Sequence, residues 1–181
     1  MQRPFARRLA ALIGGLCCGV PLAGPSLAAA PEPTKPVDLS RYFGRWYEIG
    51  RTPNLFEHGA ECDAPTADYG ADGGGRIRVV QTCHRGSPTG AETIYQATGR
   101  ILDPGINARI KLTYYLVISK EYWVLDYARD YKWAIVADST GKFVWLLSRA
   151  PDVAAATRSE MLQRAQSLGF DVGRLEFPKQ R

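Results

Sequence analysis

The sequence predicts an all-β protein: an eight-stranded antiparallel up-and-down barrel with one helix packed outside it near the C-terminus. Two observations lead to this prediction. Short segments rich in Val, Ile, Tyr, Trp and Thr follow one another, and turn sequences rich in Gly, Pro, Asp and Ser separate them with no helix in between. Eight strands in such a meander can close into a barrel wide enough to hold one small molecule.

Residues 1–28 are predicted to be a secretory signal peptide and are left out of the fold. Three arginines, Arg3, Arg7 and Arg8, precede an apolar stretch, and small residues surround Leu27 as in a cleavage site. Glycines and prolines interrupt the apolar stretch, which argues against a transmembrane helix. We therefore expect a periplasmic or secreted protein.

Two features of this leader leave alternatives open. Arg7-Arg8 fits a twin-arginine signal, although an ordinary basic segment explains it better. Cys17 and Cys18 raise the possibility of a lipid anchor at the outer membrane, but Leu16 stands where such signals need a small residue.

The remaining chain is predicted to be one domain, residues 39–181, after an extended linker at 29–38. The leader contains three arginines and no acidic residue, so the formal net charge falls from +5 to +2 without it. A nearly neutral chain lacks the basic surface that nucleic-acid binding requires.

The predicted strands are six to eleven residues long, and the turns between them carry glycine or proline. They are expected at 45–52, 61–70, 76–84, 92–102, 108–115, 121–128, 131–137 and 143–149. A helix is expected over 152–168, since Pro151-Asp152 is a start signal and Gly169 a stop. Its predicted apolar stripe is Val153, Ala156, Met161, Ala165 and Leu168. Residues 175–177 are a candidate edge strand.

Three motifs stand in order along the chain: Gly44-x-Trp46 in the first strand, the segment 131–136, and Ser148-Arg149 at the end of the last strand. In these motifs the chain resembles the lipocalin family and, within it, the bacterial outer-membrane lipocalins. The segment 131–136 departs from the family pattern because it lacks the usual Thr-Asp pair.

The resemblance implies a carrier of a small hydrophobic molecule, a fatty acid or a lysophospholipid, in the cell envelope, with no cofactor and no catalysis. It also implies a structural role for Trp46 and Arg149. A guanidinium over the indole gains about 1–2 kcal/mol when partly desolvated, and the pair would close one end of the barrel.

Cys62 and Cys83 are the cysteines left after the leader, and a disulfide is the expected state of an exported pair. If Ala71 and Gly74 flank a two-residue turn, the two cysteines face each other directly. Pro65 could introduce a bulge that disturbs this register.

The ligand-binding prediction rests on which side chains point inward, because neighbours along a strand alternate between the two faces. The expected lining residues are Tyr95, Ala97, Gly99, Ile110, Leu112, Tyr114, Trp123 and Trp145, although the phase of the strand with Trp123 and Leu125 is ambiguous. Glu48 shares a face with Trp46 and is expected either to form a polar floor for a headgroup or to make a structural ion pair.

An enzyme on the same barrel is the first alternative; it would need an unpaired thiol or a converging acid–base pair. A pigment or porphyrin binder is the second. His58 and His84 are the two histidines of the chain and are expected to be solvated loop residues, so a metal or Cys-His site is not predicted.

Loops alternate between the ends of a meander barrel, which places four of them at the end opposite Trp46. Two of these are unusually apolar, with Leu55 and Phe56 in one and Leu116, Val117 and Ile118 in the other. We expect them either to contact a membrane, a partner or a dimer mate, or to cover the entrance as a lid.

Overall fold

The computed structural model describes residues 29–54 and 62–180. Its eight strands are hydrogen-bonded in chain order and the first pairs with the last, so they form one closed antiparallel barrel. The predicted fold class is therefore confirmed. The predicted signal peptide, Leu55, Phe56 and His58 lie outside the described residues.

The strand bounds differ from the predicted ones by at most three residues. The strands are β1 (Gly44–Arg51), β2 (Cys62–Ala71), β3 (Arg76–Arg85), β4 (Glu92–Ile101), β5 (Arg109–Tyr114), β6 (Ile118–Tyr127), β7 (Trp133–Asp138) and β8 (Val144–Ser148). The helices are α1 (Leu39–Tyr42), which the sequence analysis did not predict, and α2 (Ala155–Ser167), followed by a 3-10 turn at Val172–Arg174.

Residues 29–38 form neither a helix nor a strand, and they lie against the barrel instead of forming a free tether. Val37 is buried, and its N–H donates to the carbonyl of Ile106. Lys35 donates to Asp126 at 2.8 Å, and Arg164 of α2 pairs with the same carboxylate. Burial alone would raise the pKa of Asp126, but the hydrogen bonds from these two cations outweigh it and hold the pKa below its usual value.

Buried apolar residues form two clusters, one inside the barrel and one outside it under α2. The outer cluster includes Ile135, Leu146 and two residues of the helix, Met161 and Ala165. The helix begins three residues later than predicted, at Ala155, and no side chain caps its N-terminus. Ala156, predicted to lie on the apolar stripe, is exposed.

The C-terminal tail lies beside the end of β1. Arg51 and Glu176 exchange both backbone hydrogen bonds, at 3.0 and 2.9 Å, so the predicted edge strand is reduced to a single bridge. Further along, the N–H of Ala64 donates to Lys179 at 2.6 Å. Ala64 has a positive φ of 44° and lies where the pairing of β2 with β3 shifts register.

The disulfide between Cys62 and Cys83 is present, with the two Cα atoms 5.2 Å apart. The predicted register was wrong, however. Ala71 pairs with Ile77 and Cys62 with Arg85, because the β2–β3 turn is longer than two residues and a bulge follows Asp63. The cysteines are therefore offset neighbours across the two strands, and the side chains still reach each other.

Candidate functional site

Arg149, the first residue after β8, closes one end of the barrel. Its guanidinium lies 3.6 Å from the centre of the Trp46 ring. It also donates to the backbone carbonyls of Arg41, Tyr42, Phe43 and Arg45 at 2.7–3.0 Å. Burial lowers the pKa of Arg149, but a guanidinium remains charged at any physiological pH. The geometry matches the structural role predicted for this pair.

Gly44 allows α1 to turn into β1 beneath this guanidinium. Its φ is +98°, which side-chain-bearing residues rarely adopt, and a Cβ here would stand 3.4 Å from Nη1 of Arg149. The Trp46 indole N–H donates to the carbonyl of Tyr42 at 2.8 Å. The glycine, tryptophan and arginine of the two terminal motifs therefore form one assembly that seals this end.

The lower half of the interior, next to this seal, is filled by side chains. Ala97, Ile110 and Leu112 are buried in the inner cluster. A Cβ added at Gly99 would lie 2.9 Å from Leu112 and 3.2 Å from Ile110. These four residues face the interior as predicted, but Ala97 and Gly99 make room for Ile110 and Leu112 of β5. None of the four lines either hollow described below, so their contact with a ligand stays a prediction.

The upper half of the interior contains a hollow of about 130 Å³, called here the inner hollow. Three of its lining residues were predicted to contact a ligand: Glu48, Tyr95 and Tyr114. The hydroxyl of Tyr114 donates to the side chain of Gln81 at 2.6 Å. The lining therefore combines apolar ring faces with polar groups such as the Tyr114 hydroxyl and the Gln81 amide, and this mixture suits an amphipathic guest.

A second hollow of about 370 Å³, called here the outer hollow, opens beside the first. Trp145, also predicted as a ligand contact, lines it together with Phe143. Tyr122 and Lys120 line both hollows, and the rings of Tyr122 and Trp145 are 5.2 Å apart. The larger hollow falls in the size range of small-molecule pockets in proteins.

Trp123 does not lie in the interior, so its prediction as a ligand contact was wrong. It belongs to the outer cluster, as does Leu125, and Arg109 stacks on its ring at 4.7 Å. The inward residues of β6 are its even-numbered neighbours Tyr122 and Val124. Because α2 covers the outer face of this part of the barrel, both faces of β6 are apolar, and the residues of β6 taken alone do not reveal its phase.

Glu48 makes the ion pair that was one of its two predicted roles. Its carboxylate accepts from Arg51 at 2.9 Å, and Arg51 also bonds to Glu176 and to the carbonyl of Cys62. Both side chains are buried, so each charge needs the other. Deeper in the barrel, burial raises the pKa of the Tyr42 and Tyr69 hydroxyls, which therefore remain neutral.

Sequence reasoning missed Lys120, Tyr122, Gln81 and Phe143 as lining residues. Lys120 pairs with Leu112 across the β5–β6 ladder and therefore faces inward. The signal was available for Lys120 and Tyr122, because the inward phase of β5 together with a short hairpin fixes the phase of β6. The phase of the aromatic pair 122–123 was instead left undecided.

Cys62, Cys83 and His84 are the described residues that a thiol-based or histidine-based site would use. Both cysteines beyond the leader are in the disulfide, so neither is the unpaired thiol that was one of the two features named for the enzyme alternative. His84 was predicted to be solvated but is buried at the end of β3, where Nδ1 lies 3.2 Å from the carbonyl of Gly90. Across residues 29–54 and 62–180, no group of three or more His, Cys, Asp or Glu could hold a metal ion.

The sequence model of the lipocalin-like domain matches residues 37–180, which is the whole barrel with α2 and the tail. The chain belongs to the lipocalin family. Lipocalins bind small hydrophobic molecules, and the half-filled barrel described above is consistent with that activity.

Two bacterial lipocalins are similar over most of the chain. The outer membrane lipoprotein Blc of Citrobacter freundii is 31% identical over 161 residues, covering 84% of this chain and 88% of that protein. The Vibrio cholerae protein of the same name is 29% identical over 91% of this chain and 96% of its own length.

Insecticyanin from the tobacco hornworm Manduca sexta has a similar solved structure, with a TM-score of 0.65, 22% identity and coverage of 85% of this lipocalin and 87% of that chain. At this identity the likeness shows the shared fold. In the described part of the present chain, no helix is long and apolar enough to cross a bilayer.

Proposed function

We propose that this lipocalin binds and carries an amphipathic molecule with one acyl chain, a fatty acid or a lysophospholipid, in the bacterial cell envelope. The observation that supports this most directly is the division of the barrel interior. The lower half is filled and sealed, the upper half contains the inner hollow, and the outer hollow adjoins it at the rim of the barrel. Such a cup takes a slender guest from one side.

The lining determines which guest fits best. Ring faces of Tyr95, Tyr114 and Tyr122 offer apolar contact for methylene groups, each worth about 0.8 kcal/mol when removed from water. Lys120 and Glu48 provide charged groups beside them. A molecule with a long apolar part and a polar end matches this mixture better than a purely apolar one.

The assignment to the envelope rests on the predicted signal peptide, on the disulfide, and on the similar bacterial proteins named outer membrane lipoproteins. Mass spectrometry of the protein from fractionated cells tests it. We expect a chain that begins near residue 29 in the periplasmic or outer-membrane fraction. An intact leader in the cytoplasmic fraction would contradict this part of the proposal.

A substitution that fills the inner hollow tests the proposed binding. Ala67 lines this hollow, and Ala67→Leu adds three carbons there. We expect it to weaken binding of dansyl-aminoundecanoic acid, measured by fluorescence titration, at least tenfold. The matched control is Ala71→Leu, the same change on the same strand at an exposed position.

The control variant should bind the probe like the wild-type protein, and circular dichroism should show both variants folded. Equal affinity of the Ala67→Leu variant and the wild type would show that the probe does not enter the hollow. Absorbance spectra of protein purified from its own host would reveal a pigment, and a visible chromophore would favour the second alternative.

A further inference from the structure

The hairpin that joins β5 to β6 exposes four consecutive apolar residues at the open end of the barrel. The exposed fractions are 67% for Tyr115, 94% for Leu116, 80% for Val117 and 45% for Ile118. Scattered surface aliphatics are ordinary, but a contiguous apolar tip of this size indicates an interaction site.

The backbone of this tip is held in a conformation that its residues disfavour. The N–H of Val117 donates to the carbonyl of Tyr114 at 3.1 Å, and the two central residues have positive φ values, 49° for Tyr115 and 66° for Leu116. Hairpin turns with two positive φ values strongly prefer Asn-Gly. Tyrosine and leucine occupy these positions at a cost in stability, which is expected where the side chains serve a function.

The tip is continuous with the entrance to the binding site. Tyr115 and Ile118 line the inner hollow, and Lys120, two residues further along the inward face of β6, lines both hollows. A guest that enters or leaves the barrel at this end therefore passes along the apolar tip.

The size of the tip argues against a second copy of the chain as its partner. The tip consists of four residues, whereas a stable dimer interface buries ~800 Å² and about 20–30 residues on each subunit. The tip also projects from the barrel as a narrow turn, and a narrow apolar projection suits insertion among lipids better than a flat interface does.

Charge at the entrance indicates what kind of surface it meets. Among the described residues that line the outer hollow, Lys111 and Lys120 are balanced by Glu121 and Asp138. An entrance with balanced charge is not specialised for anionic lipids. Apolar contact with the acyl region must then provide the attraction, with little dependence on lipid charge or salt.

We propose that residues 115–118 insert into the surface of a phospholipid bilayer, so that the hollows of the barrel open directly onto the membrane. This extends the proposed function, because a carrier docked in this way exchanges its guest with the bilayer without passing it through water.

A double substitution at the tip, Leu116→Gly with Val117→Thr, separates membrane insertion from folding and from guest binding. Glycine is favoured at the positive φ of position 116, and threonine keeps the branched shape at 117. Neither residue lines a hollow, so the variant should bind the dansyl fatty acid like the wild type. Ile94→Thr is the control, because Ile94 is also exposed, at 51%, but faces outward from the side of β4.

The measurement is flotation of residues 29–181 with phosphatidylcholine vesicles, with and without phosphatidylglycerol. All contacts described above lie within these residues. We expect the wild type and the Ile94→Thr variant to float similarly with both vesicle types, and the tip variant to lose at least tenfold in vesicle affinity. Unchanged flotation of the tip variant, or no flotation of the wild type, would overturn the proposal.

Two further outcomes are informative. If sedimentation shows a wild-type dimer that the tip variant loses, and neither protein floats, the tip binds a second copy and the membrane proposal fails. If neither protein binds the dansyl fatty acid but the tip variant alone fails to float, the carrier function fails and membrane insertion stands.

Discussion

Replacement of Arg149 by alanine tests whether the seal at the closed end stabilises the barrel as its geometry indicates. The substitution removes the cation over Trp46, 3.6 Å from its ring centre, together with hydrogen bonds to four backbone carbonyls. It leaves the two hollows untouched, because they lie at the opposite end of the barrel.

The magnitude follows from these contacts. A partly desolvated cation–π pair is worth about 1–2 kcal/mol. Two of the four carbonyl bonds, to Tyr42 and Phe43, are partly buried, and each contributes about 0.5–1.5 kcal/mol net. The two exposed bonds are expected to add little. The free energy of unfolding should therefore fall by about 3 kcal/mol in the Arg149→Ala variant.

Urea unfolding followed by far-UV circular dichroism measures this change without relying on Trp46 fluorescence. Arg149→Lys retains a positive charge but lacks the planar guanidinium that donates to several carbonyls at once. We therefore expect its free energy of unfolding to fall by roughly half as much as that of Arg149→Ala. The matched control is Arg45→Ala, which breaks an exposed ion pair with Asp68 and should cost less than about 1 kcal/mol. If Arg149→Ala costs no more than this control, the reasoning about the seal is refuted.

Three further predictions concern stability. Replacing Cys62 and Cys83 by serine should lower the free energy of unfolding by about 3 kcal/mol, because the disulfide closes a loop over a sequence separation of 21; an unchanged urea midpoint would contradict this. Gly44→Ala should cost about 1–3 kcal/mol, seen as a lower melting temperature, because alanine is strained at a φ of +98°. Asp126→Asn should destabilise the protein at neutral pH, and the difference from wild type should vanish on acidification. The pKa of Asp126 is lower in the folded protein than in the unfolded chain, so its ionised carboxylate stabilises the fold above about pH 3.9. This stability is lost as the pH falls through the folded-state pKa of Asp126. A difference from wild type that persists at low pH would contradict that account.

The alternation of side chains predicted the interior correctly where each strand is regular and has one apolar face. On β5 the inward residues Ile110, Leu112 and Tyr114 are as predicted, and on β8 Trp145 and Leu147 are too. The motif residues that meet at the closed end were also predicted. They are far apart in the sequence, and the resemblance to the lipocalin family made them recognisable.

The prediction failed where a local irregularity or a second covering layer changes the environment of a strand. The bulge after Asp63 altered the register of β2, and α2 made the outer face of β6 apolar, which reversed the expectation for Trp123. Sequence also could not distinguish a small residue that makes room for a guest from one that makes room for a neighbour. Gly99 is the second kind, because Leu112 and Ile110 fill the space above it.

The central claim is that the barrel is filled below and hollow above, so that it accepts an acyl chain to a limited depth. Calorimetric titration with saturated fatty acids of increasing length tests it most directly. Affinity should rise about fourfold per methylene and then level off once the chain exceeds the hollows. Absence of saturable binding, or a rise that continues through the longest chains without a plateau, would contradict the account.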